Sequence, residues 1–327
     1  MINNTLEANR CVNCGSLNTT PLFNASDFDT GMTPFPVCSC GSCKLVFTGK
    51  VDEDLLSKAY APQYYGTPNA KFFGGIEHLL SRGHRYQVKK ILGLHKAGGS
   101  SVEALKVLDI GCGRGLLLAE FHAHGARCTG IERAEFPDQK NSKFSLHVGD
   151  IGDAEFNNQR FDVIVIWHVL EHVMPVSRLL EDVYKHLEPG GILVVSVPNF
   201  SSWQRILFGA HWFHLDIPRH VVHLDKEWFD SNVSGKKLTV VKQSTFSLSQ
   251  NIYGFIQSAL NVLVPTRPNR LYSLLKRRDT AGDWIGLFCW GLLAGLTTPF
   301  ALIESVVSAF FKQGATLTLY FRRGIDD

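Results

Sequence analysis

No basic stretch leading into an apolar one opens the chain, whose first ten residues read MINNTLEANR. A secretory leader is therefore not expected, and the chain is expected in the cytoplasm. Internal repeats and low-complexity tracts are also missing, which argues against a solenoid and against a long disordered linker. Nor is there an excess of one charge: 33 basic residues against 30 acidic ones leave a formal net charge of +3. So small an excess is no nucleic-acid footprint, and any electrostatic partner must be recognised locally.

The 327 residues, 45% of them hydrophobic, suffice for one large domain and a small accessory one. Of the eight cysteines, five fall between Cys11 and Cys43. A disulfide scaffold spreads its cysteines through a short secreted chain, so this clustering points to metal or thiol chemistry. Cys11-Val-Asn-Cys14-Gly15 and Cys40-Gly-Ser-Cys43 are two C-x2-C knuckles, the second followed by the apolar Leu45-Val46-Phe47. Four thiolates in two knuckles make a closed tetrahedral zinc site that stabilises a domain too small for its own core. Cys38-x-Cys40 offers an alternative pairing, but Cys40 with Cys43 keeps two-residue spacing on both sides. Residues 1–50 are thus expected to be a zinc ribbon with structural zinc on Cys11, Cys14, Cys40 and Cys43. Residues 51–100, with Tyr60, Tyr64 and Tyr65, read as a helical lead-in.

From Lys106 onward apolar β-rich runs alternate with helical ones, the pattern of a parallel sheet covered on both faces. Strands are expected at 106–110, 127–132, 145–150, 161–167 and 191–197, with a further pair at 238–245 and 315–321. The clearest helix is 175–187, where Val176, Leu179, Leu180, Val183 and Leu187 share one face and Glu188-Pro189-Gly190-Gly191 forms the stop. The first strand runs into the turn Gly111-Cys112-Gly113-Arg114-Gly115 and then a helix. Glycines there permit a tight turn and close approach of a ligand to backbone N–H groups at a helix N-terminus. Glu132 ends the second strand and Asp150 the third, so with Asp109 three acids line one sheet edge. A carboxylate such as Glu132 can accept both hydroxyls of a ribose, which alone does not exclude NAD. Trp167, closing the fourth strand at the same edge, is counted with this cofactor site.

After Trp167, His168, Glu171 and His172 fall at i, i+3 and i+4 on one face of a short helical turn. Three readings stand open: a structural turn, a general base for a hydroxyl acceptor, and a divalent metal held by His168, Glu171 and His172. A second polar cluster runs from His211 to His223. Arg219 and His220 are candidates for substrate contact or proton transfer, with His223 third, while His211 and His214 read as packing residues.

The succession D-I-G-C-G-R-G, an acid, G-D, F-D-V-I-V-I-W-H-V-L-E-H, L-E-P-G-G and V-P-N over residues 106–199 resembles the class I S-adenosylmethionine (SAM)-dependent methyltransferases. The resemblance implies a Rossmann-like, mostly parallel α/β sheet of seven strands, the last antiparallel to the sixth, with helices on both faces. It also implies that Asp109 and the first-loop glycines hold the methionine moiety, that Glu132 takes the ribose, and that Asp150 with the Ile151 backbone reads the adenine. The H-V-L-E-H and P-R-H segments are similar to those of ubiquinone-pathway O-methyltransferases and small-RNA 2′-O-methyltransferases, which carry E-x-x-E-H; His168 departs from that pattern. The front, with its two knuckles and Tyr64-Tyr65, resembles nucleotide-sugar C-methyltransferases.

The methyltransferase domain is expected at 101–249 with 314–327, and its acceptor among sugar or polysaccharide precursors, lipid-linked glycans and quinone-like hydroxyls. Two alternatives are an RNA methyltransferase and a non-catalytic SAM-binding scaffold. Against the first, the ribbon balances Arg10, Lys44 and Lys50 with Glu7, Asp27 and Asp29. Against the second, the glycines and the three acids are intact. Residues 250–313 form an apolar helical insertion in which 284–303 carry no charge, a membrane-span length. Two apolar stretches, 251–264 and 284–311, flank Arg267, Arg270, Lys276, Arg277 and Arg278, as interfacial helices do. Docking on a membrane face is expected rather than a crossing, because 315–321 must return to the sheet. Pro299 with Gly286, Gly291 and Gly295 permits a bent path. The competing reading is a buried helical pair or a dimer interface.

Overall fold

A computed structural model describes residues 10–28, 34–59, 74–98, 104–133, 144–153, 156, 159–233, 238–275 and 284–325. Tyr60, Tyr64 and Tyr65, Glu7, Asp29 and the basic run Lys276, Arg277 and Arg278 lie outside them. The chain opens with strands β1 (Thr19–Ala25), β2 (Phe35–Cys40) and β3 (Val46–Thr48), then helices α1 (Glu53–Ala59) and α2 (Gly74–Ala97). Next come β4 (Lys106–Ile110), α3 (Leu116–Ala123), β5 (Arg127–Glu132), β6 (Ser145–Val148) and β7 (Phe161–Trp167). They are followed by α4 (Val176–His186), β8 (Leu187–Pro198), α5 (Trp203–Phe208), β9 (Val222–His223) and α6 (Lys226–Asn232). The chain ends on β10 (Leu238–Ser244), α7 (Leu248–Leu263), α8 (Arg270–Leu275), α9 (Trp284–Phe310) and β11 (Thr316–Arg323).

Seven strands form the main sheet in the order β10-β11-β8-β7-β4-β5-β6. From β8 to β6 all neighbours are parallel, whereas β11 runs antiparallel to both β8 and β10. The parallel strands are covered on both faces, so their apolar residues run on without alternation: Val163, Ile164, Val165 and Ile166 are all fully buried. Val88 and Ile91 of α2 and Leu118 and Phe121 of α3 pack on one face. Val176, Leu180 and Val183 of α4 and Trp228 and Phe229 of α6 pack on the other. Chain order reverses between β4 and β7, which opens a crevice at the carboxyl ends of the two strands.

Among the boundaries that differ from the sequence reading are three in and beside the main sheet. β8 begins at Leu187, four residues early, because Leu187 pairs with Phe161 across an irregularity and the Glu188–Gly191 breaker is absorbed within the strand. β6 ends at Val148, where Gly149 turns the chain at φ 152°. The expected helical turn at 168–172 shrinks to a 3-10 turn over Leu170–His172, with His168 in the left-handed region at φ 55°.

The N-terminal strands do not stand apart. β1, β2 and β3 form a second sheet completed by β9, which comes about 175 residues later in the chain. Val37, Leu45, Phe47 and Val51 share one continuous core with Leu108, Ile164 and Val195. The Asn13 side chain accepts the Ser177 N–H at the start of α4, and Asn232 donates to the Cys43 carbonyl.

Candidate active site and cysteine centre

The glycine turn is built from left-handed backbone, with φ 71° at Gly111, 52° at Gly113 and 71° at Gly115. A Cβ on Gly111 would lie 2.3 Å from Val169 and one on Gly115 2.1 Å from Phe144, so both positions exclude side chains sterically as well as conformationally. A Cβ on Gly113 would meet nothing within 4 Å, so the space beside its Cα is open. Glu132 reaches over the turn: one carboxylate oxygen accepts the Gly113 N–H at 2.9 Å and the other the Arg133 N–H at 2.9 Å. Asp109 is buried beneath, and burial with the nearby Glu132 charge pushes its carboxyl up to about 8.

Asp150 is exposed at the rim and Ile151 buried behind it. Asp153, unnoticed in the sequence reading, holds this corner: its Oδ2 accepts the Asp150 N–H at 2.8 Å and pairs with His147 Nε2 at 2.9 Å. The signal for it was an acid three residues beyond a strand-end acid, the spacing of a side-chain-capped turn. Trp167 stands edge-on to His168 with ring centroids 6.2 Å apart. The cofactor candidates therefore gather at one edge, as the strand ends required.

Catalytic candidates converge beside that edge, but not in the expected grouping. Ligand atoms of Glu171, His172 and His220 lie within 4.8 Å of one another, and His168 is not of this set. The reason is local. With His168 in left-handed backbone, its Nδ1 meets Glu171 Oε1 at 3.2 Å and orients the carboxylate. His220 arrives instead from 49 residues away in sequence, which the divalent-metal reading of His168, Glu171 and His172 did not include.

Hydrogen bonds fix the ring tautomers. His172 Nδ1 donates to the Arg219 carbonyl at 2.9 Å, and His220 Nδ1 to the His214 carbonyl at 2.8 Å. A neutral imidazole that donates from Nδ1 carries its lone pair on Nε2, so both rings present an acceptor nitrogen. Burial, with His172 beside it, lowers His220 to about 4, so its ring is neutral at physiological pH. Burial opposes ionisation of Glu171, but the His168 hydrogen bond and the surrounding histidines outweigh it and hold the carboxyl at about 2. Among the described residues, Glu171 Oε2 and His168 Nε2 are buried without a hydrogen-bond partner. One anionic oxygen and two imidazole lone pairs at one point suit either a divalent cation or a proton removed from an acceptor.

Arg219 is buried and its guanidinium is engaged by Asp216, with Nε on Oδ2 at 3.0 Å and a second contact from Nη2 to Oδ1. Asp216 also lies 3.8 Å from His220 Nε2. His214 is buried and its Nε2 donates to the Gln250 carbonyl, and His211 stacks on Phe28. Both are packing residues. His223 meets Thr48 between the paired strands β9 and β3 of the second sheet.

The four cysteine sulfurs of Cys11, Cys14, Cys40 and Cys43 also converge within 4.8 Å, with 3.6 Å between Cys11 and Cys43 and between Cys14 and Cys40. Cys38 is outside the cluster. Burial disfavours the Cys40 thiolate, but N–H groups of Cys43 and Ser42 and the Cys14 thiol outweigh it and bring it to about 7. Burial pushes the Cys11 thiol up. Soft sulfur donors in a closed tetrad suit zinc.

Residues 82–232 match the family model described as a methyltransferase domain. Ubiquinone biosynthesis O-methyltransferase of Rickettsia prowazekii is 29% identical over 139 residues, 40% of this chain and 54% of that protein. Its counterpart in Rhodopseudomonas palustris is 30% identical over 158 residues, 44% of this chain and 62% of that one. The match with the R. prowazekii protein thus spans about half of its length. A SAM-dependent methyltransferase from Archaeoglobus fulgidus superposes with a TM-score of 0.44 at 18% identity, covering 73% of this chain and 92% of that one.

Proposed function

We propose that this protein, a class I SAM-dependent methyltransferase by its domain at residues 82–232, methylates a hydroxyl of a small acceptor presented at a membrane surface. The acceptor class is a lipid-linked sugar or polysaccharide precursor, or a quinone-like ring. One observation carries the hydroxyl reading: a ring nitrogen of His172, a ring nitrogen of His220 and a carboxylate oxygen of Glu171 lie within 4.8 Å of one another beside the cofactor crevice. SAM supplies an already activated methyl group when bound. Asp109 and the glycine turn would hold its methionine part, Glu132 its ribose, and Asp150 with Ile151 its adenine. His172 or His220 then takes the proton that an attacking hydroxyl must lose, while His168 aligns Glu171. A divalent cation fits Glu171, His172 and His220, where it would acidify that hydroxyl, and zinc fits the cysteine tetrad, which has no open position and hence no catalytic part. Mass spectrometry of products formed from SAM and pools of nucleotide sugars, lipid-linked sugars, quinone precursors and RNA tests the reading; methylation of RNA alone would overturn it.

Cofactor binding should depend on pH. Before SAM binds, burial and the Glu132 charge hold Asp109 at about 8, so at pH 6–7 it is mostly protonated, while the methionine ammonium favours its charged form. Binding then expels a proton, and SAM affinity rises with pH by up to about tenfold per unit until it levels near 8. Calorimetry in buffers of different ionisation heats measures that release. Asp109→Asn should lose the slope, and Glu132→Ala should weaken SAM at every pH.

Support for the membrane surface comes from α9, an inside-out helix. Its outward stripe is Phe288, Leu292, Leu296, Phe300, Ile303, Val306 and Phe310, all exposed, whereas Ser305 and Ser308 are buried. Over Ile285–Phe310 the mean hydropathy is 1.7, yet only 11% of the most apolar stretch is buried, which disagrees with a buried helical pair. Helix α9 continues through Pro299. Trp203, Ile206 and Leu207 of α5 add to the exposed apolar surface, and Arg267 and Arg270 bring positive charge between α7 and α9. Full burial of one such side chain is worth about 1.5 kcal/mol or more. The wild type should float with anionic liposomes, and Phe288→Asp with Leu296→Asp and Phe300→Asp should cut binding by more than about a hundredfold at unchanged SAM affinity.

A further inference from the structure

The cysteine module touches the catalytic edge through one strand. β3 pairs antiparallel with β9, Val46 opposite His223 and Phe47 opposite Val222. Thr48, the last residue of β3, is fully buried at the joint. Its N–H donates to the Val221 carbonyl at 3.0 Å and its hydroxyl to the His220 carbonyl at 2.8 Å. The same hydroxyl oxygen lies 2.9 Å from His223 Nε2, and because its proton is committed to His220, His223 must donate to it. On the other side the Val221 N–H donates to the Glu171 carbonyl at 2.9 Å. A continuous hydrogen-bonded path therefore runs from β3 through the His220–His223 segment to the 3-10 turn that carries Glu171 and His172.

The knuckles anchor this strand. Cys40 ends β2, and the Lys44 N–H returns to the Cys40 carbonyl while the Cys40 N–H donates to the Leu45 carbonyl. These bonds place Leu45 and Val46 directly from the second knuckle, three residues before Thr48. A hydroxyl at Thr48 is needed for the His220 and His223 contacts together; a β-branched apolar side chain of the same size would fill the volume and satisfy neither.

We propose that Thr48 is a positioning residue of the methyltransferase: the cysteine ribbon uses it to fix the His220–His223 segment so that His220 faces Glu171 and His172. The inference rests on the functional reading above. It assigns the ribbon a part in turnover and none in SAM binding, since none of the Thr48 contacts reaches the glycine turn, Glu132 or Asp150.

Three variants of the full chain test it: Thr48→Val, Thr48→Ser, and Asn13→Ala, which removes a ribbon contact to α4 far in sequence from His220 and His223. The readouts are zinc per chain, SAM affinity by calorimetry, single-turnover methyl transfer, and the side-chain signals of His220 and His223 in histidine-labelled protein. Thr48→Val should keep zinc and SAM affinity within twofold, lower the single-turnover rate tenfold or more, and shift the His220 and His223 signals. Thr48→Ser should restore both rate and signals, and Asn13→Ala should move neither. Thr48→Cys, of similar volume and a weak donor, gives the same test should Thr48→Val not fold. An unchanged rate in Thr48→Val, or a loss of rate matched by equal losses of zinc and SAM affinity, overturns the proposal. Should no acceptor be methylated even by the wild type, the functional reading fails, and the histidine signals still decide the positioning: unshifted signals in Thr48→Val refute it.

Discussion

Replacing His172 and His220 together by alanine is expected to lower methyl transfer at saturating SAM by roughly 10²–10⁴-fold, the usual contribution of a positioned general base. Each ring has its Nδ1 proton bonded to a backbone carbonyl, which leaves the lone pair on Nε2, and the two rings lie edge to face with centroids 4.8 Å apart. Burial keeps His220 neutral, ready to take a proton. Because the two rings share one point with Glu171, the single variants should not add in free energy: the first removal should cost most of what the double removal costs. Glu171→Gln separates the base from the metal. If the cluster acts only through proton transfer, the amide keeps the size of Glu171 and most of the turnover. If a divalent ion is held there, loss of the single negative charge costs both the ion, read by elemental analysis, and the rate. SAM affinity should hold in all of these variants. Near-normal turnover in both single variants and in the double one would remove histidine base catalysis altogether.

The legible and illegible parts of this molecule divide by the range of the contacts involved. The central strands β4, β7 and β8 were readable because a doubly covered parallel strand is a near-continuous apolar run, as in Phe161–Trp167, bounded by turn residues. The cofactor edge was readable because Asp109, Glu132 and Asp150 each sit at or just beyond the carboxyl end of such a run, so knowing the strand fixes the edge. Helical spacing, in contrast, misled at His168: i, i+3 and i+4 geometry needs helical backbone at the first position, and φ 55° there turns the side chain onto Glu171. His220 was named a candidate, but its meeting with Glu171 and His172 depends on a 47-residue return from Arg219 to His172 that no local pattern encodes. Pairing of β3 with β9 spans about 175 residues and rests on two short strands too small to leave a periodic signal. The inside-out character of α9 is a related case: the sequence shows an apolar helix, and only the burial of its serines shows which side faces the protein.

Loss of the zinc proposed for the ribbon is expected to have the largest effect on stability. Cys11, Cys14, Cys40 and Cys43 bring four sulfurs together from two knuckles joined by β1 and β2, and around them the ribbon has only short strands. Structural zinc on such ligands contributes roughly 10–16 kcal/mol of apparent binding free energy in isolated zinc-finger peptides, which is larger than the net stability of most domains. Here part of the ribbon's support comes from elsewhere, since Val37, Leu45 and Phe47 are packed into the main core and Asn13 and Cys43 are bonded to α4 and α6. The whole chain should therefore survive metal removal, but with its first unfolding transition lowered and confined at first to the ribbon. Cys40→Ser is the sharpest variant: Cys40 ends β2 and its backbone holds both Lys44 and Leu45, so its loss frees the second knuckle. The expected result is less than half of the wild-type zinc per chain by elemental analysis, rapid hydrogen exchange at Leu45, Phe47 and Thr48, and retained exchange protection in β4, β7 and β8. Acid should act in the same direction, because protons compete for thiolates that the metal requires, so zinc leaves as pH falls. Cys38→Ser is the control, since Cys38 lies outside the sulfur cluster and should keep its zinc. Full zinc in Cys40→Ser together with loss in Cys38→Ser would move the ligand set to Cys38, and no zinc in the wild type would leave the tetrad as a thiol cluster whose stability comes from the shared core alone.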